Sequence, residues 1–171
     1  MGLAEGTNRK LLSPFCRRRA QDLVFEGLTI AAEGRPQEAA NRFKASLKLN
    51  RTAEAYTYWA WMESTKGNYH VAIHLCREAI RLDADFGNPY NDIGSYFVAL
   101  NETDEAIIWF EKAKKARKYA PRHYPYMNCG RIYRYRQEYC RALWEYREAQ
   151  RIAPHDETIR SAILDLESII L

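Results

Sequence analysis

Five columns of residues recur along this chain with one shared set of offsets, and this repetition restricts the fold more tightly than anything else in the sequence. The first column reads Ala39, Ala72, Ala106 and Ala142, at spacings of 33, 34 and 36. Small residues repeat those spacings at Gly27, Ala60, Gly94 and Gly130, and mainly bulky ones do so at Phe43, Cys76, Phe110 and Tyr146. Two further columns read Ser46, Ala79, Ala113, Ala149 and Leu23, Tyr56, Tyr90, Tyr126. A period of this length marks a stack of supersecondary units, none of which buries its apolar face alone.

Within each unit the apolar pattern gives two helices of about a dozen residues. The breaks between them fall at Gly34, Gly67, Asn101 and Gln137. Gly and Asn readily take the left-handed conformation that ends a helix. The small residues stand where two helices must approach closely, and the aromatic ones fill the gaps that remain.

On these columns the unit resembles the tetratricopeptide repeat, a helix–turn–helix of about 34 residues. The best copy runs from Asn88-Pro89-Tyr90-Asn91-Asp92-Ile93-Gly94 through Asp104-Glu105-Ala106 to Trp109-Phe110-Glu111-Lys112-Ala113, and the fourth copy closes on Pro154. The resemblance covers residues 20–154 and implies an all-α fold, an α-solenoid of four helix-turn-helix repeats with a C-terminal capping helix. The repeats are expected at about 20–52, 53–86, 87–122 and 123–154, within a folded span of 14–154. Departures from the family pattern are Leu23 and Cys76 in aromatic columns, and Arg51, Ala84 and Lys118 where closing prolines stand in the family. The longer third spacing is expected to be absorbed by Lys118-Tyr119-Ala120-Pro121-Arg122.

The ends fit the same scheme. Residues 1–13 read as a tail without fixed structure. Ser13-Pro14 has the form of an N-cap followed by proline at the first helical position. Residues 155–171 read as the cap: Asp156-Glu157 place negative charge at a helix start, and Ile159, Ala162, Ile163, Leu166 and Ile170 share one face. The apolar ending Ile169-Ile170-Leu171 also suits a contact with a second subunit in a homodimer.

Composition narrows the function classes. Apolar residues make up 47% and charged residues 28%, which is globular rather than disordered. The four cysteines form no C-x-x-C pair, so a reducing compartment fits better than a disulfide framework. No apolar run is long enough for a signal or a membrane span, and Gly6 stands where the myristoylation motif has Ser or Thr. These features point to a cytoplasmic protein with no membrane contact. The net charge of +4 is unevenly spread: residues 1–52 carry ten Lys/Arg against five acids, and the segment from His155 one Arg against four acids.

No phosphate loop, paired carboxylates or nucleophile elbow is present, so the chain is not expected to be an enzyme, and no cofactor or metal is implied. His70, His74 and Glu78 have helical metal-ligand spacing, but their register puts them on an outer, solvated face. Cys76 and Cys129 sit in core columns as small hydrophobes. Trp109 and Trp144, beside the main packing column, either fill gaps between repeats, the reading that burial of large aromatics favours, or mark a binding patch on the convex face.

The resemblance further implies a concave groove lined by the first helix of each repeat. Carried over column by column, its peptide-binding residues are Val24 and Leu28; Glu54, Thr57 and Trp61; Asn88, Asn91 and Ser95; and Tyr124, Met127, Arg131, Arg134 and Tyr135. The lining changes from apolar at the first repeat to amide-rich at the third and Arg/Tyr-rich at the fourth. An adaptor or scaffold gripping a partner's peptide is therefore expected, its acidic part near Arg131 and Arg134. Some family members clamp chaperone tails with Lys and Asn where this chain has Val24 and Leu28, so that clamp is incomplete here. The alternative is RNA binding through Arg131-Ile132-Tyr133-Arg134-Tyr135-Arg136, in which Arg and aromatic residues alternate. The sequence pI of 8.9 falls just short of the footprint usual for a nucleic-acid domain.

Overall fold

The computed structural model describes residues 13–170. The tail expected at 1–13 therefore lies, apart from Ser13, outside the described residues, as does Leu171. Nine helices form among the described residues: α1 (Pro14–Ala32), α2 (Pro36–Leu49), α3 (Ala53–Ser64), α4 (Tyr69–Leu82), α5 (Asn88–Ala99), α6 (Thr103–Lys115), α7 (His123–Tyr135), α8 (Tyr139–Ile152) and α9 (Glu157–Ile170). Each packs on its neighbours in chain order, and α1, α3, α5 and α7 also touch one another along the inner side. This is an all-α solenoid of four hairpins closed by α9.

Local chemistry starts and stops the helices. The Ser13 hydroxyl accepts from the Cys16 amide at 3.2 Å, Thr52 accepts from Ala55 at 3.3 Å, and the Asp156 carboxylate accepts from Thr158 and Ile159 at 2.8 and 3.2 Å. Inside each hairpin the turn residue takes a positive φ: 76° at Gly34, 79° at Gly67, 62° at Asn101 and 62° at Gln137. The following amide then donates to a carbonyl five residues back, Arg35 to Ile30, Asn68 to Glu63, Glu102 to Phe97 and Glu138 to Tyr133. This is the Schellman closure, made four times at the positions the repeat columns mark.

The repeat columns are the core. Ala39, Ala72, Ala106 and Ala142 are buried, as are Phe43, Cys76, Phe110 and Tyr146. Gly27, Gly94 and Gly130 each lie against the aromatic ring of their own hairpin: a Cβ at Gly94 would stand 2.5 Å from Phe110 Cε1, and one at Gly27 would stand 2.5 Å from Phe43 Cε1. The second hairpin fills the two columns with small residues, Ala60 and Cys76, both buried in one core cluster.

The long third spacing is absorbed where the sequence places it. Residues 116–122 fold back on the link before α5. The Gly87 amide donates to the Lys118 carbonyl at 3.0 Å and the Lys118 amide to the Asp85 carbonyl at 2.8 Å, forming an isolated parallel bridge between Phe86 and Lys118. Tyr119 is buried against Gly87, and Lys118 Nζ pairs with Asp83 at 2.7 Å.

One open reading of the packing is decided and one expectation is corrected. Trp109 packs into the core cluster with Lys112 3.9 Å above its ring, but Trp144 is 57% exposed because its helix face points away from every neighbour. In α9, Ile159, Ile163 and Leu166 are buried against α7 and α8, whereas Ile170 stays exposed where only the start of α8 covers it.

Candidate functional site

The concave face is built by the first helices, and its chemistry concentrates at α7. Asn128 donates to the Asn91 side chain at 3.1 Å, and Arg131 donates to Asn128 at 3.2 Å. This chain of contacts ties α5 to α7 and fixes Arg131 on the groove wall. Arg134 faces Asp165 of α9 at 3.6 Å, too long for a hydrogen bond, so its donors stay open. Tyr135 is 82% exposed beside them.

Arg131 and Tyr135 form a ridge between two clefts. One, of about 500 Å³, lies between α5 and α7 over Val98, Phe110 and Ile132, with Ser95 and Asn128 at its rim. The other, of about 640 Å³, lies between α7 and α9 over Met127, Tyr146 and Ala162, with Arg134 and Asp165 at its rim. Each joins an apolar floor to a cationic edge, an arrangement suited to an apolar side chain beside an anion.

The other expected groove residues are spread along the array. Val24 and Leu28 are half-buried against the first hairpin's core, and Val24 shares a cleft of about 380 Å³ with Glu54 and Gln21. Trp61 and Tyr124 are exposed, while Asn88, Asn91 and Ser95 are half-buried. Ser95 donates to the carbonyl of Asn91 in its own helix. Thr57 is a correction: it is buried, and its hydroxyl donates to the Ala53 carbonyl at 2.8 Å. Met127 is buried as well, packed in the C-terminal core, where it floors the second cleft. Asn128, Ile132 and Asp165 belong to the site and were not in the expected lining. Asn128 falls in no repeat column, and Asp165 lies on the cap, so column matching misses both.

The Arg/Tyr alternation is not a uniform surface. Tyr133 packs against the two main core clusters with Arg141 over its ring, leaving Tyr135 as the exposed aromatic of the segment. On the outer face, His70 and His74 are exposed, and Glu78 pairs with Arg51 and Arg81.

The oxygen and sulfur atoms of Glu111, Cys129 and Glu145 lie within 4.8 Å of one another, but a cation already belongs to this cluster. Lys114 Nζ donates to Glu111 at 2.6 Å and to both oxygens of Glu145 at 2.8 Å, and lies 4.5 Å from the Tyr126 ring centroid. Burial pushes the Cys129 thiol up to about 12, which keeps it protonated and a poor metal ligand. Burial also raises the Glu145 carboxyl despite Lys114, and it works against the Lys114 ammonium, whose acidic neighbours nonetheless hold it above the ordinary lysine value. The short bidentate geometry, buried on both sides, decides for an ion pair that links α6 to α8.

No helix among the described residues is long and apolar enough to cross a membrane.

Comparison with known proteins identifies the architecture. Residues 88–119 match the tetratricopeptide repeat family model. No curated protein matches the chain. Among solved structures, PilF of Pseudomonas aeruginosa is similar with a TM-score of 0.80 at 19% identity, over 88% of this chain and 68% of that one. MamA gives a TM-score of 0.68 at 22% identity, over 79% of this chain and 78% of that one. The second tetratricopeptide domain of Spaghetti (RPAP3), bound to an HSP90 peptide, gives a TM-score of 0.55 at 20% identity, over 58% of this chain and 94% of that one. The chain carries a tetratricopeptide repeat at 88–119 and takes the tetratricopeptide-repeat fold around it.

Proposed function

We propose that this protein is a non-catalytic adaptor that holds an extended peptide segment of a partner protein in its concave groove, with the acidic part of that peptide at Arg131 and Arg134. The observation that carries this is the α7 ridge: Arg131 and the exposed Tyr135 between two apolar-floored clefts, with Arg134 at the rim of the second opposite a single loosely paired carboxylate, Asp165. Arg and Tyr are the residues that anchor most binding hot spots. A similar fold holding a peptide in the RPAP3 domain supports the mode, not the partner.

The test is a peptide array on a Gly/Ser host, carrying Glu, Lys or neither among apolar residues, probed with the wild type and with Arg131→Ala/Arg134→Ala. Acidic peptides should be retained by the wild type and bound about tenfold or more weakly by the variant, as expected for losing charge-assisted hydrogen bonds. Equal retention by both proteins, or no preference for acidic peptides, would refute the proposal.

A further inference from the structure

The ridge on α7 separates its two clefts by a distance that selects the shape of a ligand. The first cleft lies over Val98 and Ile132, the second over Met127 and Ala162, and Arg131 and Tyr135 border both. The clefts therefore flank a single helix. A helix with its side chains is about 10 Å across, so two side chains seated one in each cleft stand about 10 Å apart. Volumes of about 500 and 640 Å³ give each cleft room for an apolar side chain.

Three peptide backbones meet this spacing differently. A flat extended strand puts same-side residues about 7 Å apart at i and i+2 and about 13 Å apart at i and i+4, while i+3 faces the opposite way. The described residues also form no strand beyond the isolated bridge of Phe86 and Lys118, so they offer no sheet edge for an added strand. A helical peptide spans about 10 Å at i and i+7. It is itself a cylinder about 10 Å wide, however, and the exposed Arg131 and Tyr135 between the clefts hold such a cylinder off both floors. A polyproline-II segment turns once in three residues and rises about 3.1 Å per residue, so i and i+3 point the same way about 9 Å apart. Its carbonyls have no internal partners. The ridge has donors for them in the Tyr135 hydroxyl and in the Arg131 nitrogens that do not bond Asn128. Arg136, in contrast, is tied to Thr103 and Asp104.

We infer, on the reading that this site binds an acidic peptide, that the bound stretch is a polyproline-II segment with apolar side chains at i and i+3, one in each cleft, and an acid between them at Arg131. The two apolar anchors fix the register of the peptide. The guanidinium at the crossing selects the charge of what lies between them.

The test is fluorescence anisotropy of labelled peptides with the full chain. The peptides carry Leu-Glu-Pro-Leu, Leu-Glu-Leu-Pro or Leu-Glu-Pro-Pro-Leu between identical Gly/Ser flanks, so the leucines stand three, two or four residues apart. The first should bind about tenfold or more tightly than the others, the difference made by one leucine left in water. Val98→Trp and Ser161→Trp, at exposed positions lining the first and second clefts, each fill one cleft, and both should keep the wild-type circular dichroism. Against either variant the three spacings should bind alike, because one anchor has lost its seat. Equal binding of the three spacings by the wild type overturns the inference. If peptides with Gln for Glu then still bind about tenfold more weakly, the acidic-peptide reading stands without it. A spacing preference that survives in both Trp variants also overturns it, as does tighter binding of an Ala-based helical peptide with leucines at i and i+7. Binding that depends on neither Glu nor Arg131 overturns both.

Discussion

Replacing Gly94 with alanine sets two effects of known size against each other. In an exposed helix the change would gain about 1 kcal/mol, since alanine is the best helix former and glycine among the worst. In α5 the new Cβ would lie 2.5 Å from Phe110 Cε1, 2.6 Å from Cδ1 and 2.9 Å from Cζ. Ordinary carbon contacts begin near 3.5 Å, so ring and helix must part by about 1 Å. The Phe110 ring is fully buried and has nowhere to swing. Overpacking of this kind costs about 1–3 kcal/mol. The net expectation is a loss of up to about 2 kcal/mol, centred on about 1 kcal/mol, or a melting temperature lower by about 2–4 °C per kcal/mol lost for a chain of this length. Urea and thermal unfolding followed by circular dichroism measure it. A Phe110→Leu background removes the crowding ring edge, so there the same Gly94→Ala change should raise stability. In the second hairpin the same two columns hold Ala60 and Cys76, a Cβ together with a smaller side chain than a ring. A single Gly94→Ala variant that is more stable than wild type would refute the reasoning, for helix propensity would then outweigh the contact.

Gln137→Gly should stabilise by about 0.5–1 kcal/mol, since a side chain at positive φ is strained and glycine is not; denaturant midpoints compared with an exposed control glycine decide it. Lys114→Met leaves Glu145 buried without its cation and should cost roughly 3–5 kcal/mol, much of it regained with Glu145→Gln added; an additive double variant would argue against the pair. Desolvation pushes the Asp92 carboxyl up to about 7, against an unfolded value near 4. The folded state thus holds the extra proton, so this stabilisation is complete below about pH 4 and fades as pH rises to about 7. Asp92→Asn should flatten that part of the stability–pH curve, and identical curves for wild type and variant would remove Asp92 as the cause.

The repeat columns made the hairpins, their turns and their core legible before any coordinates. They report one recurrent constraint, the contact of a small residue with a ring, and they locate Gly34, Gly67, Asn101 and Gln137 because each hairpin must turn at the same place. The groove was less legible. Column matching assigns a residue to the inner side but not its depth, so Thr57 is buried rather than lining a surface, and Met127 lies at the bottom of a cleft. It is blind to contacts between different elements: Asp165 reaches Arg134 from the cap, and Lys114 meets Glu145 across 31 residues. For Trp144 the sequence left packing between repeats and exposure on the convex face both open, and the residue is exposed.

The bridge between Phe86 and Lys118 has a consequence for how the array comes apart. In an ideal repeat stack each unit feels only the next, so unfolding fronts move freely along the array and terminal units fray independently. Here the link entering the third hairpin is fastened to the link leaving it, by two backbone hydrogen bonds and the Lys118–Asp83 pair. Opening that hairpin from either side therefore means breaking both of its boundaries at once. The fastening turns residues 83–122 into a cooperative block within a chain of otherwise pairwise couplings, and in native-state hydrogen exchange the amides of α5 and α6 should be among the last to open.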